Sequence, residues 1–134
     1  MRDDDLAWSF SGLKTALWDF LHQQRPLPRL EDLCASFQEA IVDVLVERSA
    51  RALERFGIDR LVVAGGVSAN QRLRERMAEA TAALGARVVF PPRSLCTDNA
   101  AMIAAAGALR RQLGLPGLPL VAAARLPLGQ PCRP

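Results

Sequence analysis

The stretch VVAGGVSANQRLRERM, Val62–Met77, joins a short apolar run to two glycines and then to a helical pattern. A strand that ends in Gly65 and Gly66 and turns directly into a helix leaves backbone N–H groups of the first helical turn without partners, at the positive end of the helix dipole. Such a turn accepts an anion or the sugar and phosphate of a nucleotide, because glycines let the ligand approach the backbone. Ser68 or Asn70 would cap the helix or contact the ligand. The same pattern also fits a turn that binds nothing.

A second candidate is RSLCTDNAAMIAAAG, in which Asp98 precedes an apolar helical pattern. An aspartate at this place is most often the N-cap of the helix. The alternative is that Asp98, at the carboxyl end of a strand, faces the same crevice as the glycine loop and gives an oxygen ligand to a metal. One aspartate cannot hold a catalytic ion, which ordinarily has about three protein ligands.

The segment WSFSGLKT places Ser11 and Lys14 at the start of a predicted helix, where they could contact a phosphate. Ser11 as the helix cap is the simpler interpretation. His22 is the only histidine, and its place near a helix end predicts a surface residue. The sequence therefore offers no Ser/His/Asp triad and no Cys/His pair.

The composition indicates a globular chain of about one domain, since half of its 134 residues are apolar and 23% are charged. It contains no apolar run long enough to span a membrane, and its acidic beginning does not resemble a secretion signal, so we expect a cytoplasmic protein. The three cysteines form no CxxC pair, which suits a reducing compartment. A net charge of +3 permits a nucleic-acid partner without indicating one.

The spacing of apolar residues predicts four helices, and short apolar runs predict two strands. These elements must position the candidate residues. The helices cover residues 13–24, residues 31–56 with Gly57 as the C-terminal cap, a segment with Leu73, Met77, Ala80 and Leu84 on one stripe, and residues 99–113. The strands lie in DRLVVAGG and ARVVF, and the valine-rich run of the first predicts a strand covered on both faces. Strand, helix and strand form one βαβ unit, hence a parallel pair. The alanine-rich last helix should be largely buried, and the tail from Leu115 should be extended, with an edge strand as one option.

Three segments, SFSGLKTAL, AGGVSANQRLR and CTDNAAMIAAAG, together resemble signatures of the tRNA N6-adenosine threonylcarbamoyltransferases, known as TsaD and formerly as Gcp. The resemblance runs from about Leu6 to Leu113. It implies an α/β fold of the actin, Hsp70 and sugar-kinase type, with short parallel strands, long packing helices and a nucleotide gripped between two lobes. It also implies transfer of a threonylcarbamoyl group from its adenylate to N6 of the adenosine beside the anticodon.

The resemblance assigns nucleotide contact to Asn70, with Gly65, Gly66 and Ser68 beside it. It assigns Asp98 as a ligand of a divalent metal, iron or zinc. The partners that it implies are tRNA, threonylcarbamoyl-adenylate, an inactive paralogue of the enzyme and small ATPase proteins, with no membrane.

Family members are considerably longer, and their N-terminal half carries a histidine pair that this chain does not have. We therefore expect residues 1–134 to be a C-terminal portion, with a core over 6–113 and an extended tail over 115–134 that resembles the family only loosely. Such a portion should neither hold the metal nor turn over substrate alone, and its uncovered apolar surface should favour self-association.

The resemblance also implies two alternative functions. The first is a noncatalytic binding or dimerisation module like the inactive paralogue. Asp98 argues against it, because such a module needs no carboxylate to bind a metal. The second is the glycoprotein endopeptidase activity once assigned to this family. It ranks last, because the sequence offers no nucleophile and no complete zinc site.

Overall fold

A computed structural model describes residues 6–7 and 9–117. The chain divides into two compact units, Met1–Thr97 and Asp98–Pro134, and each is described by itself. In the described part of the chain, no helix is long and apolar enough to cross a membrane. The prediction for the tail beyond Gly117 lies outside the described residues.

The first unit contains three helices and two strands in the order α1, α2, β1, α3, β2, with one 3₁₀ turn after each strand. Their bounds are Ser11–Gln23 for α1, Leu30–Phe56 for α2, Arg60–Val62 for β1, Gln71–Ala83 for α3 and Arg87–Val89 for β2, with the 3₁₀ turns at Gly66–Ala69 and Arg93–Leu95. The second unit contains α4, Ala100–Gln112. The predicted helices and strands are confirmed, with small shifts at their ends.

Helix α2 ends where the sequence predicts, at Gly57. This glycine has φ +60, and its N–H donates to the carbonyl of Glu54 at 3.3 Å. The N–H of Ile58 reaches back to the carbonyl of Leu53 at 3.1 Å. Left-handed backbone is favourable for glycine because it has no Cβ, so the helix stops here and the chain turns toward β1.

The two strands form a parallel pair in which Leu61 lies opposite Val88, and α3 connects them. This confirms the predicted βαβ unit. Helices α2 and α3 cover one face of the pair. The buried centre contains Val42, Val46, Leu73 and Met77, and partly buried residues packed against it include Leu61, Val63, Val88 and Phe90.

The prediction that both strand faces are covered is wrong. Val62 is 73% exposed and Val89 is 58% exposed. Alternate side chains of a strand point to opposite faces, so Leu61 and Val88 meet the helices while Val62 and Val89 point away from them. The valine run shows that both faces of the strand are apolar. Within the described first unit, helices cover only one of these faces.

Two predictions about helix faces are also wrong. Leu84 lies just past the end of α3 and is 39% exposed, whereas Thr81 is buried and its hydroxyl donates to the Met77 carbonyl at 2.9 Å. Helix α4 has no buried residue, and Ile103 is 76% exposed. Small side chains permit close packing, but the described part of the second unit offers α4 too little partner surface.

The core assignment predicts different costs for two methionines. Met77→Ala should lower the free energy of unfolding by about 2–5 kcal/mol, since it leaves a cavity between α2, α3 and the sheet. Met102→Ala, at a position that is 49% exposed on α4, should change it by no more than about 0.5 kcal/mol. Urea denaturation followed by circular dichroism measures both. Equal effects would contradict the assignment of the core.

Candidate functional site

The glycine loop, residues 63–70, joins β1 to α3. Gly65 has φ +92 and ψ 169, a conformation that residues with a Cβ rarely adopt. A Cβ at Gly65 or Gly66 would meet no atom within 4 Å, so the space beside the loop is open to a ligand. The strand does not turn directly into α3 as the sequence predicted, because the 3₁₀ turn Gly66–Ala69 lies between them. The N–H of Ser68 donates to the Gly65 carbonyl at 2.9 Å and closes this turn.

The 3₁₀ turn leaves backbone donors available. Among the described residues, the structure gives no acceptor to the N–H groups of Gly66 and Val67, and both residues are exposed. Free N–H groups at the start of a helical turn can donate to the oxygens of an anion. The 3₁₀ turn is therefore one place where such donors are available, and anion binding there stays a prediction.

An apolar cavity of about 500 Å³ lies beside the loop, within the first unit. Its lining includes Ile41 and Leu45 of α2, Leu61 of β1, and Val67 and Ser68 of the loop. Its volume is within the range of small-molecule sites, and its walls suit an aromatic ring or an aliphatic group.

Asn70 is the N-cap of α3. Its Oδ1 accepts from the N–H of Leu73 at 3.0 Å, and its Nδ2 donates to Oε1 of Gln38 at 2.9 Å. Of the two roles that the sequence left open, the cap is observed. Contact with a nucleotide stays a prediction, and the amide still has one N–H and one lone pair for it.

Ser68 is only 1% exposed, and its hydroxyl donates to the Gly65 carbonyl at 2.7 Å. The side chain thus stabilises the loop from inside. In this conformation the described contacts of Ser68 are made to the protein, and its role as a binding residue stays a prediction.

Sequence reasoning missed Arg74, which lies on the first turn of α3 and contacts two separate segments. Its Nε donates to the Ser68 carbonyl at 2.6 Å, and its Nη2 donates to the Pro91 carbonyl at 2.7 Å. The available signal was its position, because a long side chain early in a helix points back toward the N-terminus and reaches the preceding loop.

An ion-pair cluster holds α3 against α2 near the loop. Arg72 donates to the two carboxylate oxygens of Glu39 at 2.8 and 2.7 Å, and Arg76 adds a contact at 2.5 Å. Arg76 also pairs with Asp43 at 3.2 Å. The pKa of Glu39 is lowered below its ordinary value, first by the hydrogen bond from Arg72 and then by the charges of Arg72 and Arg76. The pKa of Arg72 is correspondingly raised.

The structure assigns the cap of α4 to Asn99. Its Oδ1 accepts from the N–H of Met102 at 3.1 Å, so the interpretation of Asp98 as the cap is wrong. The chain places Asp98 one residue too early for this role. Asp98 is exposed, and no described residue forms a hydrogen bond or ion pair with its carboxylate. Within the described ranges, no group of three or more histidine, cysteine, aspartate or glutamate side chains is placed to hold a metal ion.

The interpretation of Ser11 as a helix cap is also wrong. Helix α1 begins at Ser11 itself, with Phe10 at the N-cap position and no side-chain capping bond. Lys14 is exposed on the following turn, and its contact with a phosphate stays a prediction. His22 is exposed, as predicted, and its Nδ1 lies 2.7 Å from the Trp18 carbonyl oxygen.

The family model described as tRNA N6-adenosine threonylcarbamoyltransferase, TsaD, matches residues 2–105, which include the glycine loop and Asp98. The chain belongs to this family. Curated proteins of that name are similar to it. The TsaD of Aromatoleum aromaticum is 52% identical over 120 residues, 87% of this chain and 34% of the relative. That of Bordetella petrii is 51% identical over 88% of this chain and 35% of the relative. That of Thermotoga neapolitana is 46% identical over 86% of this chain and 35% of the relative.

The comparisons confirm the resemblance carried by the three sequence segments. They also show that the chain spans about a third of the length of these curated relatives. The α/β arrangement of helices with short parallel strands agrees with the family assignment.

The Glu39 cluster predicts a pH dependence of stability. A carboxyl whose pKa is lowered by folding stabilises the protein above its unfolded pKa, and this stabilisation is lost as pH falls through the lower folded pKa. We expect the free energy of unfolding to fall less steeply below pH 4.5, the ordinary pKa of this carboxyl, in Glu39→Gln than in the unchanged chain. Urea denaturation across pH 3–7 measures it, with ~0.5-unit steps as a suitable spacing.

A matched control for this pH series is Glu54→Gln, an exposed position on the same helix. It should retain the steep fall of the unchanged chain. A Glu39→Gln profile parallel to that of Glu54→Gln would refute the assigned contribution of the cluster.

Proposed function

We propose that this chain supplies the nucleotide-contacting loop and one metal ligand of a tRNA-modifying threonylcarbamoyltransferase. In that reaction the threonylcarbamoyl group moves from threonylcarbamoyl-adenylate to N6 of the adenosine adjacent to the anticodon. The observation that carries the proposal is the glycine loop of a chain of the threonylcarbamoyltransferase family, in which the N–H groups of Gly66 and Val67 have no acceptor among residues 6–7 and 9–117.

In this proposal, the loop binds the adenylate. The N–H groups of Gly66 and Val67 donate to oxygens of its phosphate, and the remaining N–H of Asn70 donates to the nucleotide. Gly65 keeps the backbone in the conformation that exposes these donors. The neighbouring apolar cavity suits the adenine ring. Ser11 and Lys14 are secondary candidates for phosphate contact.

Asp98 is proposed as one ligand of a divalent iron or zinc ion. Its carboxylate fits this role, because it is exposed and neither caps α4 nor pairs with a described residue. A metal bound there would polarise the carbamoyl or phosphate oxygens as a Lewis acid. The remaining ligands must come from elsewhere, since the described part of the chain holds no set of three or more candidate ligands.

We infer that residues 1–134 correspond to the C-terminal portion of a longer enzyme, with a core over 6–113 and a tail over 115–134. The coverage of about a third of each relative supports this inference. The core would be part of a domain of the actin, Hsp70 and sugar-kinase type. The portion that the chain does not cover would supply the opposite wall of the nucleotide cleft. The proposed partners are tRNA, the inactive paralogue and the small ATPase proteins, in the cytoplasm.

The alternative function is a noncatalytic binding or dimerisation module. The exposed apolar side chains of Val62, Val89 and Ile103 favour it, because they offer surface for self-association. Asp98 favours the enzyme, since Asn99 makes the capping bond and helix capping no longer explains an aspartate at this position. The endopeptidase activity remains the weakest candidate.

The role of Asp98 can be tested in a protein that joins this chain to the uncovered N-terminal portion of the Aromatoleum aromaticum relative. Asp98→Ala should lower formation of threonylcarbamoyl-adenosine in tRNA by about 100-fold or more, because loss of even a supporting group at a metal site costs about 10–100-fold. It should also lower the bound metal, measured by mass spectrometry. Asp19→Ala, at an exposed position of α1, is the control and should retain both. Full activity and metal content in Asp98→Ala would exclude the ligand role.

Asn70 allows capping and nucleotide binding to be separated. Ser is as good an N-cap as Asn, so Asn70→Ser should retain the thermal stability that Asn70→Ala loses, about 0.5–2 kcal/mol. Both variants lack the amide donor, so both should weaken binding of adenosine monophosphate to the joined protein by about 3- to 10-fold in calorimetry.

Gln71→Ala, on the first exposed position of α3, is the control for this pair and should bind as the unchanged protein does. Unchanged affinity in Asn70→Ser would leave Asn70 with the capping role alone. The 134-residue chain itself should bind the nucleotide weakly or not at all, because it contributes one wall of the cleft.

A further inference from the structure

Arg74 joins two segments that are far apart in sequence. Its guanidinium donates to the carbonyl of Ser68, in the glycine loop, and to the carbonyl of Pro91, after β2. The same Nη2 lies 3.3 Å from Sγ of Cys96, which is buried. One side chain therefore contacts the glycine loop and the Pro91–Cys96 segment at once.

The orientation of this guanidinium is restrained. Its central carbon lies 4.8 Å from the centroid of the Phe90 ring, so the cation packs over the aromatic face. Arg72 and Arg76 pair with carboxylates, whereas no ion pair of Arg74 is found among the described residues. The guanidinium of Arg74 donates instead to the backbone carbonyls of Ser68 and Pro91.

The contacts continue from Arg74 to the predicted ligand donors. Arg74 holds the carbonyl of Ser68, while the N–H and hydroxyl of Ser68 both donate to the Gly65 carbonyl. These bonds set the course of the backbone through Gly66 and Val67. Without the guanidinium, the Ser68 carbonyl would lose this donor. The N–H groups of Gly66 and Val67 would then no longer be held in one orientation.

We propose that Arg74 is a positioning residue that locks the glycine loop to the Pro91–Cys96 segment and so keeps the loop in its ligand-accepting conformation. The locking is a property of this chain, and the effect on a ligand rests on the proposed function. Lysine cannot replace Arg74, because one ammonium group does not present the planar fork that reaches both carbonyls.

Amide hydrogen exchange of the chain, followed by nuclear magnetic resonance, tests the lock without a ligand. Four amides report on it: Ser68 and Asn70 in the loop, and Leu95 and Cys96 in the second segment, each of which donates to a carbonyl within its own segment. In Arg74→Ala all four should exchange about tenfold faster or more, because a charge-assisted hydrogen bond is removed from each segment.

The matched control is Arg72→Ala, on the same turn of α3. It breaks the pair with Glu39 and lowers overall stability, but it should leave the four amides at the unchanged rate under conditions where the chain stays folded. Added methylguanidinium should slow exchange again in Arg74→Ala, and urea at the same concentration should not. Unchanged exchange in Arg74→Ala, a change confined to one segment, or an equal effect of Arg72→Ala would each overturn the lock.

Arg74→Lys keeps the charge and the aliphatic stem. If Arg74→Ala does not fold, hydrogen exchange is measured in Arg74→Lys instead. It should also speed exchange in both segments, although less than the alanine variant. In the joined enzyme it should raise KM for threonylcarbamoyl-adenylate about tenfold, with a smaller change in kcat, because binding is affected before chemistry. An unchanged KM would overturn the link to the ligand. If the unchanged joined protein bound no nucleotide, the proposed function would fail, and the exchange result would still decide the lock.

Discussion

The packing of α2 against α3 over one face of the parallel strand pair is the contact on which the rest of the first unit depends. Val42 and Val46 meet Leu73 and Met77 there, and all four are almost fully removed from solvent. Full burial of such apolar side chains stabilises a folded chain by roughly 1.5–3 kcal/mol each. Since α3 begins directly after the glycine loop, the same packing fixes the place at which the loop must end.

Polar contacts around this core fix the position of α3 relative to α2. Glu39 binds Arg72 and Arg76, and the neighbouring Gln38 binds Asn70, so α2 contacts the start of α3 at consecutive positions. Exposed ion pairs contribute little to stability individually, but a bidentate arginine–carboxylate pair restricts relative sliding of two helices. The start of α3 is thereby held against α2 by apolar packing and by directional hydrogen bonds.

The sequence predicted the helices, the strands and their parallel pairing because these depend on local periodicity and on glycines such as Gly57. It did not predict the exposed strand face. A valine run indicates that a face is apolar, but it does not indicate whether the same chain contains a layer that covers this face. The cap at Asn99 and the 3₁₀ turn after Gly65 depend on a shift of one residue or one turn, which spacing alone does not resolve. Arg74 was missed because its hydrogen bonds to Ser68 and Pro91 go to backbone carbonyls, which no side-chain pattern identifies, and only its position early in α3 indicated a contact with the preceding loop.

Some polar groups near the loop and at the start of α4 are hydrogen-bonded within the described chain, and others are not. Ser68 and Asn70 have both been drawn into hydrogen bonds that shape the loop, whereas the adjacent N–H groups of Gly66 and Val67 have no acceptor among the described residues. At the start of α4 the side-chain capping bond is made by Asn99, and no described residue forms a hydrogen bond or ion pair with the carboxylate of Asp98. Groups that folding leaves unsatisfied and exposed are free to bind a ligand at no cost to the fold. The donors of the loop and the carboxylate of Asp98 are therefore left unused by the described fold, and the proposed ligand contacts rest on these groups.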